Sequence, residues 1–147
     1  MSAHKQPEAN EVAGIFRLAS KDVPALEKAA AQLKQAFFKV DLRRASNVPG
    51  FIRALQRDLA FPEWFGGNLD ALHDCLTDFS WRPAPGYVIT LEGCDALSAN
   101  ATSFAIFNEV LSSVIESWQG RGIPFRVFYL QGDPPAATGR DLSSARP

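Results

Sequence analysis

Along this chain the apolar side chains change rhythm several times, and each change predicts a change of secondary structure. Four short runs crowded with Val, Ile, Leu, Phe and Tyr have the length and composition of β-strands: VAGIFRL at 12–18, FFKVDL at 37–42, YVITLE at 87–92 and IPFRVFYL at 123–130. Between them the apolar positions recur every three or four residues. After Asp22, placed as an N-cap, Leu26, Ala30, Leu33 and Phe37 follow at spacings of four, three and four. A second helix begins at Ser46 or Asn47, carries Pro49 in its first turn and aligns Val48, Ile52, Leu55 and Leu59. A third opens at Asn68. The longest runs from about Asn100, with Phe104, Phe107, Leu111, Val114 and Trp118 on one stripe, until Gly120 and Gly122 end it. Parallel strands need a crossover, and a helix between each pair of strands supplies one. The pattern therefore predicts an α/β fold, a small, mainly parallel sheet of three to four strands flanked by helices.

Length adds the organisation. A chain of 147 residues that is 46% hydrophobic buries one sizeable core and is too short for two comfortable domains, so 11–131 is expected to fold as one unit. The first ten residues are polar, and GDPPAATGRDLSSARP from Gly132 has almost no bulky apolar side chains. Residues 1–10 and 132–147 are therefore expected to be disordered. The first residues hold no apolar stretch long enough for a signal-peptide core, and no run approaches the length of a membrane span, which makes a cytoplasmic protein the expectation. Cys75 and Cys94 sit in apolar contexts and read as reduced, buried small hydrophobes rather than a disulfide framework.

Charge changes the picture only locally. A net charge of −1 removes any global electrostatic case for nucleic acid or for an anionic membrane surface. Yet the signs are segregated. From Lys39 to Arg57 the chain carries Lys39, Arg43, Arg44, Arg53 and Arg57 against Asp41. From Asp58 to Trp81 it carries five carboxylates, Asp58, Glu63, Asp70, Asp74 and Asp78, and no Lys or Arg. On a helix opening at Asn68, Asp70, Asp74 and Asp78 form one stripe, while Leu69, Leu72, Cys75, Leu76 and Phe79 gather opposite it. Like charges at that spacing each cost roughly 0.2–0.5 kcal/mol, and Asp78 near the C-terminus also opposes the helix dipole, so local helix stability did not select the pattern. Ahead of the helix, Pro62, Trp64, Phe65, Gly66 and Gly67 form a loop in which two aromatics adjoin glycines free to take positive φ. Two readings stand side by side, a merely solvated face and a binding surface.

Other chemistry finds little footing. Asp70 and Asp74 on adjacent turns of one helix suit neither a general acid–base pair nor a divalent cation, which normally draws ligands from several elements. His73 lies between the acidic stripe and the apolar face, as a hydrogen-bonded boundary residue or a contact. The chain has no Cys-X-X-Cys pair, Gly-rich nucleotide fingerprint, P-loop or Gly-X-Ser-X-Gly turn. No catalytic residue, cofactor or metal is assigned. Trp81 and Trp118 read as packing residues rather than base-stacking platforms.

The run LAFPEWFGGNLDALHDCLTDF resembles the signature of the barstar family of ribonuclease inhibitors, and the order of elements from about 37 to 130 is similar to that family as well. Residues 12–36 lie outside the resemblance and form an extra strand-helix unit, expected to add a strand to the sheet. The resemblance implies an inhibitor rather than an enzyme, with a basic ribonuclease or ribonuclease-type toxin as partner and no direct contact with nucleic acid or membrane. It also implies a monomer of the immunity-protein kind. It assigns the central acidic contact to Asp74, a second to Asp70 and the loop aromatic to Trp64, with Gly66 and Asn68 shaping loop and cap. Phe65, His73 and Asp78 complete the expected contact set, and Phe79 falls at a further aromatic position. His73 stands where the best-known member has a tryptophan. The acidic contacts that the family makes from the end of its long helix fall near Ser117 and Arg121, leaving only Glu116 to substitute. The alternative is a module with this fold that binds a basic partner other than a ribonuclease.

Overall fold

The computed structural model describes residues 13–62, 66–93 and 101–131. Strand β1 (Ala13–Ala19) passes through a short 3-10 turn into helix α1 (Val23–Gln32), and β2 (Ala36–Asp41) follows. Two helices come next, α2 (Val48–Leu59) and α3 (Leu69–Thr77), then β3 (Tyr87–Glu92), the long α4 (Ala101–Arg121) and β4 (Phe125–Gln131). The strands make one sheet in the order β1-β4-β3-β2, every neighbour parallel. The extra N-terminal strand thus extends the sheet beside β4, at the edge opposite β2.

Register explains how one sheet serves two cores. Ile15, Val127, Ile89 and Phe38 lie in one row across the four strands, and Phe16, Phe128, Thr90 and Lys39 in the next. Successive side chains on a strand point to opposite faces, so alternate rows feed alternate sides of the sheet. The first side packs against α2, α3 and α4 through Phe51, Leu55, Leu72, Leu76, Phe107 and Leu111, all buried. Each such side chain contributes on the order of 1.5–3 kcal/mol relative to exposure, so this layer dominates the stability. The other side is covered more thinly, Leu26 and Ala30 of α1 closing over Phe16, Phe37, Val88 and Phe128.

Helix boundaries follow local chemistry. The Asn47 side chain accepts from the Gly50 amide at 2.9 Å and starts α2, and Asn68 does the same for Ala71 at 2.8 Å and starts α3. Each occupies an extended N-cap and satisfies an amide the helix leaves open. Asp22 occupies the N-cap position of α1 but makes no capping hydrogen bond. The 3-10 turn runs straight into the helix and leaves its backbone already helical, at φ −93 and ψ −1. Phe37 continues the helical rhythm of α1 in sequence but belongs to β2, because the chain reverses at Leu33 and Lys34, where Lys34 takes φ 62. The last helix runs through Gly120 and stops at Arg121, before Gly122 at φ 69. No helix among the described residues is long and apolar enough to cross a membrane. The segments expected to be disordered, 1–10 and 132–147, lie outside the described residues.

Candidate functional site

Helix α3 carries the acidic positions. Gly67, at φ 77, makes the turn that a side chain would strain, and Asn68 then caps the helix. Leu72, Cys75 and Leu76 are fully buried, which fixes the rotation of the helix about its axis and leaves Asp70 and Asp74 exposed on the outer surface. Among the described residues neither carboxylate has a basic side chain within ion-pair distance. Asp70 lies in the first turn, where the helix dipole favours a negative charge.

The far end of α3 is held by donors from outside the helix. A helix leaves its last four carbonyls without intrahelical partners, and here each has a donor. The Asp74 carbonyl accepts from the Asp78 amide at 3.0 Å and, more weakly, from the Thr77 hydroxyl at 3.3 Å. Trp81 Nε1 reaches the Cys75 carbonyl at 3.3 Å, and Trp118 Nε1 the Leu76 carbonyl at 2.7 Å. Arg121 Nη2 donates to the Thr77 carbonyl at 2.6 Å and to Ser117 Oγ at 2.8 Å, while its guanidinium carbon stands 3.8 Å from the centre of the Trp118 ring. Trp81 and Trp118 do pack into the core, and they also act as caps. Sequence reading missed that role, although a buried indole N–H always needs an acceptor.

The expected stripe of three aspartates is shortened by one. Asp78 is exposed, but its backbone is extended (φ −132, ψ 93), the helix having ended at Thr77, and its carboxylate accepts from the Ser80 amide at 3.0 Å. The carboxylate still stands beside the negative end of the helix dipole, and the Ser80 amide offsets part of that unfavourable contact. Phe79 is buried, its ring centre 4.3 Å from that of Tyr87 and 4.7 Å from that of Trp81. It belongs to the aromatic core and presents nothing to a partner. His73 is half-buried, with Nε2 3.0 Å from Ser113 Oγ, and ties α3 to α4 along the border of the acidic face. Glu116 is exposed, whereas Ser117 is engaged by Arg121. Gly66 and Asn68 are exposed at the start of the helix. Trp64, Phe65 and Glu63 lie outside the described residues, as does Cys94.

Elsewhere the two segregated charge segments partly neutralise each other. Asp58 accepts from Arg57 and from the Asp41 amide, each at 2.8 Å, and these bonds hold its carboxyl below the usual range. Arg43 grips Asp41 through two side-chain bonds of 2.9 Å and depresses that carboxyl strongly. Asp58 therefore joins β2 to α2 and is not part of an open acidic surface. Burial pushes the Cys75 thiol up, and the Asp74 and Asp78 charges push it further. Among the described residues no group of three His, Cys, Asp or Glu side chains is disposed to hold a metal ion.

Against known proteins, the family model described as Barstar (barnase inhibitor) matches residues 35–130. The match takes in β2, α2, α3, β3, α4 and all but the last residue of β4, and leaves β1 and α1 outside. Among curated proteins none matches the chain.

Proposed function

We propose that this chain, which belongs to the Barstar family, is a protein inhibitor of a basic ribonuclease that lays the Asp70 and Asp74 face of α3 over the enzyme's phosphate-binding site. One observation supports this most. Two exposed carboxylates, uncompensated among the described residues, sit one turn apart on a helix whose terminal carbonyls are all capped from outside. A surface already fixed before binding loses little conformational freedom in the complex. Its carboxylates can accept from the same Arg, Lys and His donors that hold an RNA phosphate. Asp74 is the centre of the contact and Asp70 its neighbour. Trp64 and Phe65 supply the aromatic part of the loop that Gly66 and Asn68 shape, and His73 and Asp78 border the patch. The inhibitor works as a cytoplasmic monomer through residues 11–131 and catalyses nothing.

The test is titration of the purified protein, beside Asp74→Ala, into RNA-cleavage assays with basic microbial ribonucleases at several salt concentrations. Stoichiometric inhibition that weakens as salt rises, and weakens by about 2–5 kcal/mol of affinity in the variant, is the expected outcome. Equal inhibition by Asp74→Ala would remove Asp74 from the centre.

Arg121 favours a second reading. A cation occupies the region of α4 from which the family makes further acidic contacts, and it is engaged on the end of α3. A module with a smaller acidic face, recruiting a basic protein other than a ribonuclease, would show salt-sensitive binding to that protein and no inhibition across the enzyme panel.

A further inference from the structure

Residues 13–34 lie outside the family match, and they turn one side of the sheet into a groove. Helix α1 packs closest to β2 and leaves a cavity of about 580 Å3 between itself and strands β1 and β4. Phe16, Leu18 and Phe128 form its floor; Leu26, Ala29 and Leu33 form the helix wall. Leu33 is 60% exposed, the most exposed large apolar side chain among the described residues. The volume falls within the range of about 300–1,000 Å3 usual for small-molecule sites.

The groove is electrically polar. At one end, where α1 gives way to Gln35, Arg126 lies half-buried, donating to Gln35 Oε1 at 3.3 Å with its guanidinium 5.8 Å from the Phe128 ring centre. Among the described residues no carboxylate lies within ion-pair distance of it. Burial alone lowers the affinity of this guanidinium for its proton, and no acid offsets that effect. At the other end, where α1 begins, stands Asp22, which makes no capping hydrogen bond, and the exposed Arg17 of β1 also lines the groove.

We propose that this groove binds a free medium-chain fatty acid, its carboxylate on Arg126 and its alkyl chain along Phe16, Phe128 and the α1 wall. An inorganic anion would satisfy Arg126 but leave the apolar walls wet, and a neutral hydrocarbon would desolvate the guanidinium further without supplying a counter-charge. The planar fork of Arg suits a carboxylate, and of the two guanidinium groups lining the groove Arg126 is half-buried whereas Arg17 is exposed to water, so Arg126 gains more from an anionic partner. From Asp22 to Leu33 the helix wall spans roughly 16 Å at 1.5 Å per residue, which matches a medium chain. The site lies on the opposite side of the sheet from α3 and is independent of ribonuclease inhibition.

Isothermal titration calorimetry of the full chain with decanoate, below its micellar concentration, tests this, with decanol as the uncharged probe. Two variants accompany the wild type, each checked for native circular dichroism: Arg126→Gln, and Ala29→Trp at an exposed helix position facing the groove. Saturable one-to-one binding of decanoate is expected, weakened roughly ten-fold or more in Arg126→Gln and for decanol, and lost in Ala29→Trp. No saturable binding to the wild type, decanol binding as tightly as decanoate, or undiminished binding by folded Ala29→Trp would each overturn the proposal.

Discussion

Arg121 Nη2 donates to the carbonyl of Thr77 across 2.6 Å and so ties the last turn of α4 to the last turn of α3. The bond places a positive charge at the negative end of the α3 dipole, and the Trp118 ring beneath the guanidinium holds it there. The acidic helix is thereby positioned by a basic residue far away in sequence.

Arg121→Ala should cost about 1–2 kcal/mol of stability, from the lost charge-assisted bond and the lost dipole contact. Urea denaturation measures it, and faster amide exchange should appear first around Asp78 to Arg82. An unchanged midpoint would mean that the contact contributes nothing in solution.

Trp118→Phe keeps most of the ring but removes the only donor described for the Leu76 carbonyl, in a buried position. An unsatisfied buried carbonyl predicts a loss of about 1–3 kcal/mol. Trp81→Phe should cost less, because its bond to Cys75 is longer, at 3.3 Å, and only part-buried. Thermal denaturation of the pair ranks the two caps.

Stability should fall in acid through Asp41 and Asp58. Arg43 and Arg57 hold their carboxyls below the ordinary value of 3.8. A group whose folded pKa is depressed contributes fully above its unfolded pKa and loses that contribution as pH falls through the folded one. Unfolding free energy should therefore be level near neutrality and decline below about pH 4–5. Asp58→Asn should flatten part of that decline when measured in urea from pH 3 to 7.

Cys75 should resist alkylation in the native protein. It is fully buried, and burial, ahead of the Asp74 and Asp78 charges, raises its thiol pKa, so little thiolate forms near neutral pH. Iodoacetamide labelling followed by peptide mapping should find this position modified only after urea is added. Asp74→Asn should leave the protection in place, since burial is the larger cause.

The sequence by itself determined the class of fold and the place of the acidic face. Strand-length apolar runs alternating with helical rhythms specify parallel crossovers. Asn47 and Asn68 announce their helices because a short side-chain acceptor next to an open amide is a local interaction. The exposure of Asp70 and Asp74 follows from Leu72, Cys75 and Leu76, since burying one side of a helix fixes the other. Two kinds of feature were not legible, local reversals that break a rhythm and contacts between distant parts of the chain. Phe37 kept the helical rhythm but entered a strand, and Asp78 kept the spacing but left the helix, because Lys34 reversed the chain in one case and a local turn to Ser80 closed it in the other. The strand order β1-β4-β3-β2, the Arg121 and Trp118 caps on α3, and the groove ending at Arg126 were decided only in three dimensions. Each joins residues widely separated along the chain, and their partners are selected by packing, which no local pattern of hydrophobic and polar positions encodes.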